Sequence, residues 1–190
     1  MVNNNQKVGG RILSLSNYFS FIFLILFSLY LVPCTAKAQS IENRYQSHLN
    51  ADGVTYFIRP KHIGHHENIN GFNYDITYHT SKDSVILNFS IMTKKPVKVD
   101  GLVLSCGEKK YVGSGVSALY VDIFGDKYEI RTTSRFSLKD VWEVYSQKEA
   151  LCFGIHFDNG EEGSATYSLS KWKKDSKMIS RILDLINLQR

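Results

Sequence analysis

The chain is predicted to be mainly β, a β-sandwich or strongly bent antiparallel sheet, with a short internal helix and a C-terminal amphipathic helix packed on the sheet. Three observations predict it. Apolar and polar residues alternate in successive short runs, the period of strands with one buried face. Turn residues such as Gly125-Asp126 and Asp158-Asn159-Gly160 punctuate those runs. Only the last twenty residues adopt a clear helical period.

Residues 1–38 read as a signal peptide. Lys7 and Arg11 make a positive start, Phe19 to Val32 is an apolar run broken by Ser20 and Ser28, and Ala36-Lys37-Ala38 is a small-residue cleavage pattern. Cleavage before Gln39 is expected. The run is short for a membrane span, and Pro33 ill suits a lipoprotein site at Cys34. Removing this segment takes away Lys7, Arg11 and Lys37 and no acid, which leaves 20 Lys plus Arg against 18 Asp plus Glu, a net charge of +2 instead of +5. So balanced a chain lacks the clustered basic footprint of nucleic-acid binding. Residues 39–52 read as a polar N-terminal arm, and 53–190 as one β-rich domain.

Gly53 to Arg59 is the first expected strand, stopped by Pro60, which has no N–H for a ladder. Lys61 to Asn70 is expected to be a loop. Phe72, Tyr74, Ile76 and Tyr78 then alternate with polar residues, as do Val85, Leu87, Phe89 and Ile91. A hairpin through Thr80-Ser81-Lys82-Asp83 places Tyr78 opposite Val85, Ile76 opposite Leu87, Tyr74 opposite Phe89 and Phe72 opposite Ile91. All four pairs lie on one face, and a lone hairpin is marginal, so that face needs a covering layer.

Val97 and Val99 share one parity and Leu102, Leu104 and Cys106 the other, which predicts a bulge at Asp100-Gly101. Around Gly125-Asp126 a second hairpin pairs Ile123 with Tyr128, Val121 with Ile130 and Leu119 with Thr132 on an inner face. Its outer face pairs Tyr120 with Arg131, a cation–π geometry, and Asp122 with Glu129, with Lys127 near enough to relieve the like charges.

Ser137 is the expected N-cap of a short helix over 138–146, with Phe136 and Val141 as its hydrophobic staple. Leu151, Phe153, Ile155 and Phe157 form another strand, followed by a last one around 165–169. In the helix over 170–188, Trp172, Met178, Ile179, Ile182, Leu183, Leu185 and Ile186 fill one arc and Lys173, Lys174, Lys177 and Arg181 the opposite one. That arc is expected to cover the sheet instead of lying on a membrane.

Four groups of residues bear on chemistry. His62, His65, His66 and Glu67 supply donor types for zinc or another transition metal, at a spacing that matches no standard motif. Cys152 and His156 share a strand face, but four strand residues span about 13 Å, too far for proton transfer. Gly113-Ser114-Gly115 lacks the strand-to-helix context of a nucleophile elbow and reads as a loop. Cys106 and Cys152 form a possible disulfide in an exporting compartment, although their parities point to opposite faces.

No coherent set of acid, base and nucleophile emerges. The expected function is therefore that of a non-catalytic exported protein, periplasmic or extracellular, that binds an envelope protein or a glycan. A metal-binding protein or metal-dependent enzyme built on the His62 segment is the alternative.

Overall fold

The computed structural model describes residues 43–188, so the expected signal peptide, Cys34 and the start of the arm lie outside the described residues. Among the described residues eleven strands form two antiparallel sheets. In chain order they are β1 (Tyr45–Asn50), β2 (Gly53–Ile63), β3 (His65–Glu67), β4 (Phe72–His79), β5 (Ser84–Thr93), β6 (Val99–Cys106), β7 (Lys109–Val112), β8 (Ser114–Phe124), β9 (Lys127–Ser137), β10 (Cys152–Phe157) and β11 (Glu162–Thr166). Helix α1 (Leu138–Tyr145) follows β9 and α2 (Leu169–Leu188) ends the domain. Sheet A runs β1-β2-β4-β5-β9-β8 and sheet B runs β3-β11-β10-β6-β7. The expected fold class is therefore present: mostly strand, with a short helix and a C-terminal helix packed on the sheet.

At the centre of sheet A the β4–β5 register is the one the sequence predicts, from Phe72 opposite Ile91 to Tyr78 opposite Val85. All eight of these side chains are buried. Sheet B supplies part of the cover: the Phe153 ring centroid lies 4.8 Å from those of both Phe72 and Tyr74. Helix α2 supplies more, burying Trp172, Ile179, Ile182, Leu183 and Ile186. The arc differs from expectation at one edge, where Leu185 is exposed; Asp175, which the helical period places among the apolar residues, is buried with them.

Several boundaries differ from the sequence prediction. The segment expected as an arm contains β1, an exposed edge strand paired with β2 from Tyr45↔Ile58 to Asn50↔Gly53. Pro60 does not end β2; a bulge between Ile58 and Lys61 absorbs one extra residue against Ile76 and Tyr74. That bulge returns Lys61 to the buried parity. The Asp100-Gly101 bulge is present, because His156 pairs with Gly101 and Phe157 with Val99.

The cap of α1 is as expected: Ser137 Oγ accepts from Asp140 N at 3.0 Å, and Phe136 and Val141 are both buried. The β8–β9 register holds near the Gly125 turn, where φ is +62°. It fails further along, since Leu119 is bulged out and Ala118 takes its place opposite Thr132. More consequentially, the face expected to be inner is open: Val121 is 51% and Ile123 71% exposed.

Candidate functional site

The proposed metal ligands do not converge. His62 lies on β2 in sheet A, and the chain crosses at Gly64 to sheet B, where His65 and His66 sit on β3 opposite Thr166 and Ala165. His62 Nδ1 is 2.9 Å from Asn73 Oδ1 across the ladder. His65 and His66, adjacent on one strand, alternate to opposite faces, and Glu67 pairs opposite Ser164. Among the described residues no group of three or more His, Cys, Asp or Glu is placed to hold a metal ion. The expected loop is two strands because β3, three residues without apolar alternation, carries no strand signal.

Cys106 and Cys152 are free thiols in the structure, not a disulfide. Cys152 pairs with Ser105, the neighbour of Cys106, so the two cysteines lie on adjacent strands but face opposite sides. Burial, and then Glu149 and Cys152, push the Cys106 thiol up to about 11. His156 Nδ1 lies 3.1 Å from Glu162 Oε1, an orienting acid that the sequence did not reveal. Cys152, four residues away along β10, does not complete that pair as a nucleophile. Ser114 begins a strand instead of lying in a loop, and its hydroxyl donates to Arg135 O at 3.2 Å.

Three arrangements were not visible in sequence. The first is a buried polar centre in which Tyr74 Oη meets Tyr145 Oη at 2.9 Å and Tyr167 Oη at 2.8 Å. Trp172 packs on Tyr145 and Tyr167, at 5.4 and 5.3 Å between ring centroids, while Lys61 Nζ reaches Asp175 Oδ1 at 3.9 Å. Burial drives the Tyr74 and Tyr145 phenols well above their ordinary value and raises Tyr167 too. It also lowers Lys61, against the pull of Asp175. Phenols so held stay neutral near pH 7, and their hydroxyl contacts join β4, α1 and the segment leading into α2.

The second is a chain of Asp52, His79 and Ser81. His79 Nδ1 accepts from Ser81 N at 3.2 Å, which leaves the ring proton on Nε2, facing Asp52 Oδ1 at 3.3 Å. Ser81 Oγ also reaches Nδ1, at 2.8 Å. The order matches a nucleophilic triad, yet oxyanion donors are missing from the turn. Thr80 N donates to Val54 O, Lys82 N to His79 O, and Ser81 N to the imidazole. The chain ties the β4–β5 turn to the β1–β2 turn.

The third is the edge of sheet A opposite β1. Among the described residues β8 has β9 as its sheet neighbour on one side only, and Leu119, Tyr120, Val121, Ile123 and Phe124 are 42–71% exposed. Tyr120 does stand opposite Arg131, but the guanidinium bonds the buried Asp75 and, at 3.1 Å, Ser90 Oγ. Gly113 sets where the chain passes from β7 of sheet B to β8 of sheet A: a Cβ there would lie 2.1 Å from Ser134 Oγ and 2.7 Å from Phe136 Cζ, and Gly113 N donates to Leu102 O at 2.8 Å. Beyond this close crossing β8 continues as an outer edge. Apolar alternation on β8 was legible in sequence; its exposure was not.

No helix among the described residues is long and apolar enough to cross a membrane. Comparison of the chain with protein-family models, with curated proteins and with solved structures finds no match.

Proposed function

We propose that the chain is a non-catalytic exported protein, periplasmic or extracellular, that binds a partner protein by strand addition to the edge of β8. The observation that carries this reading is five exposed apolar side chains within six consecutive residues of an unpaired edge. A row of main-chain donors and acceptors on an edge is a template for another strand, and strand-adding partners gain affinity from those bonds and specificity from alternate side chains. Val121 and Ile123 share one parity and Tyr120 and Phe124 the other, so the fitting occupant is an extended segment apolar on both faces. A glycan site favours exposed aromatic rings in a concavity, whereas Tyr56, Tyr74, Tyr78, Tyr145 and Tyr167 are buried.

Val121→Pro deletes an edge N–H and Ile123→Lys puts a charge in the strip. Cross-linking from a photoreactive residue at position 124, in the native envelope, should trap a protein adduct that both substitutions remove while the melting temperature changes little. Adducts equally abundant in Val121→Pro would exclude strand addition.

A further inference from the structure

We propose that a cleft at one end of the sandwich binds a short peptide with free termini, recognised by its paired ammonium and carboxylate. The cleft is independent of the β8 edge. Three connections wall it: the one after β3, the one after β5 and the turn between β10 and β11. It encloses about 550 Å³, within the range of small-molecule sites.

The three connections are tied to one another, so the cleft is formed before any ligand arrives. Asn68 Nδ2 donates to Glu162 O at 2.9 Å, Asn70 N to Met92 O at 2.7 Å and Asp158 N to Lys98 O at 3.0 Å. Within the walls Thr93 Oγ1 donates to Lys95 O at 2.7 Å and Glu161 N to Asn159 Oδ1 at 2.9 Å. Such preorganisation reduces the ordering entropy that binding must overcome.

Asn68, Asn70, Asn159, Lys94, Lys95 and Glu161 contribute the polar lining, over a floor that includes Ile69 and Phe157. Gly163 makes room for that floor, because a Cβ there would lie 2.8 Å from Ile69 Cγ2 and 3.3 Å from Phe157 Cε2. Among the described residues no ion pair within 4.0 Å engages Lys94, Lys95 or Glu161. The cleft thus presents both signs of charge without pairing them. A ligand carrying one carboxylate and one ammonium answers both, as charge-assisted hydrogen bonds require. Side-chain amides, each donor and acceptor, match the peptide groups between those ends.

The test is a titration of the full chain with trialanine, followed through backbone amide resonances to about 20 mM so that millimolar affinity is visible. Saturating shifts are expected at residues 68–70, 94–97 and 159–161. N-acetyl-trialanine amide, which has neither charge, should bind roughly tenfold more weakly. Lys94→Ala with Lys95→Ala, and separately Glu161→Gln, should each weaken trialanine by a similar factor. These are solvent-facing side chains, and the Glu161 main-chain bonds persist in Glu161→Gln. Absence of saturation, equal binding of the capped peptide, or equal shifts with acetate alone would each overturn the proposal.

Discussion

The β4–β5 and β8–β9 hairpins have the same signature in sequence and opposite fates in the fold. Both alternate apolar with polar residues around a short turn, and both pair in register near that turn. In β4–β5 the apolar face is closed, with Phe72, Phe89 and Ile91 fully buried. In β8–β9 the equivalent face is closed at Ile130 but open at Val121 and Ile123. Alternation therefore specifies which side chains share a face; burial depends on what lies across from it. At β4–β5 Phe153 of sheet B lies across, while the chain leaves sheet B at Gly113 and β8 runs along the rim of sheet A.

This difference has energetic consequences. Phe72→Ala removes a ring that stacks on Phe89 at 5.9 Å and meets Phe153 at 4.8 Å, and should lower stability by about 3–5 kcal/mol. Ile123→Ala should stay within about 0.5 kcal/mol. Denaturant unfolding of both variants measures the contrast, and a loss at Ile123 as large as that at Phe72 would mean that the β8 edge is covered.

The helix offers the same contrast on one element. Ile182→Ala, at a buried position, should destabilise by about 2–5 kcal/mol. Leu185→Ala, at a position 42% exposed, should cost under about 1 kcal/mol. Comparable losses at the two would show that the helix does not dock through its Trp172–Ile186 arc.

Tyr74→Phe probes the polar part of the β4–β5 face. It leaves Tyr145 and Tyr167 without the hydroxyl that joins them, which should cost roughly 1–3 kcal/mol. The same variant has a pH signature. Because burial raises the native phenols above their unfolded value of 10.0, they contribute stability that is present below pH 10 and lost as pH rises toward the folded values. Lys61, lowered by burial, acts in the opposite direction, with stability rising as pH approaches its unfolded value. Unfolding measured from pH 8 upward should show a net decline led by the tyrosines, shallower in Tyr74→Phe. An unchanged slope would place the alkaline loss elsewhere.

The smallest effect concerns the thiols. With Cys106 at about 11, its thiolate fraction at pH 8 is about 10⁻³, and it is buried while Cys152 is half-buried. Mass-resolved alkylation of the native protein should therefore mark Cys152 well before Cys106. Equal rates would mean that the β6 face opens on the labelling timescale.

What was determined locally could be read from the sequence alone: the β4–β5 register, the Asp100-Gly101 bulge, the Ser137 cap and the apolar arc of α2. Each rests on contacts between residues close in the chain or on strict periodicity. The polar centre of Tyr74, Tyr145, Tyr167, Asp175 and Lys61 draws on five separate segments, and no spacing connects them. The separation of His62 from His65 and His66 depends on the chain changing sheets at Gly64, and Asp52 meets His79 only because two turns adjoin. Above all, tertiary structure decided that one apolar strand face lies in the core and another at a rim. Pleating sets the direction of each side chain, and only the opposing layer decides whether water is excluded from it.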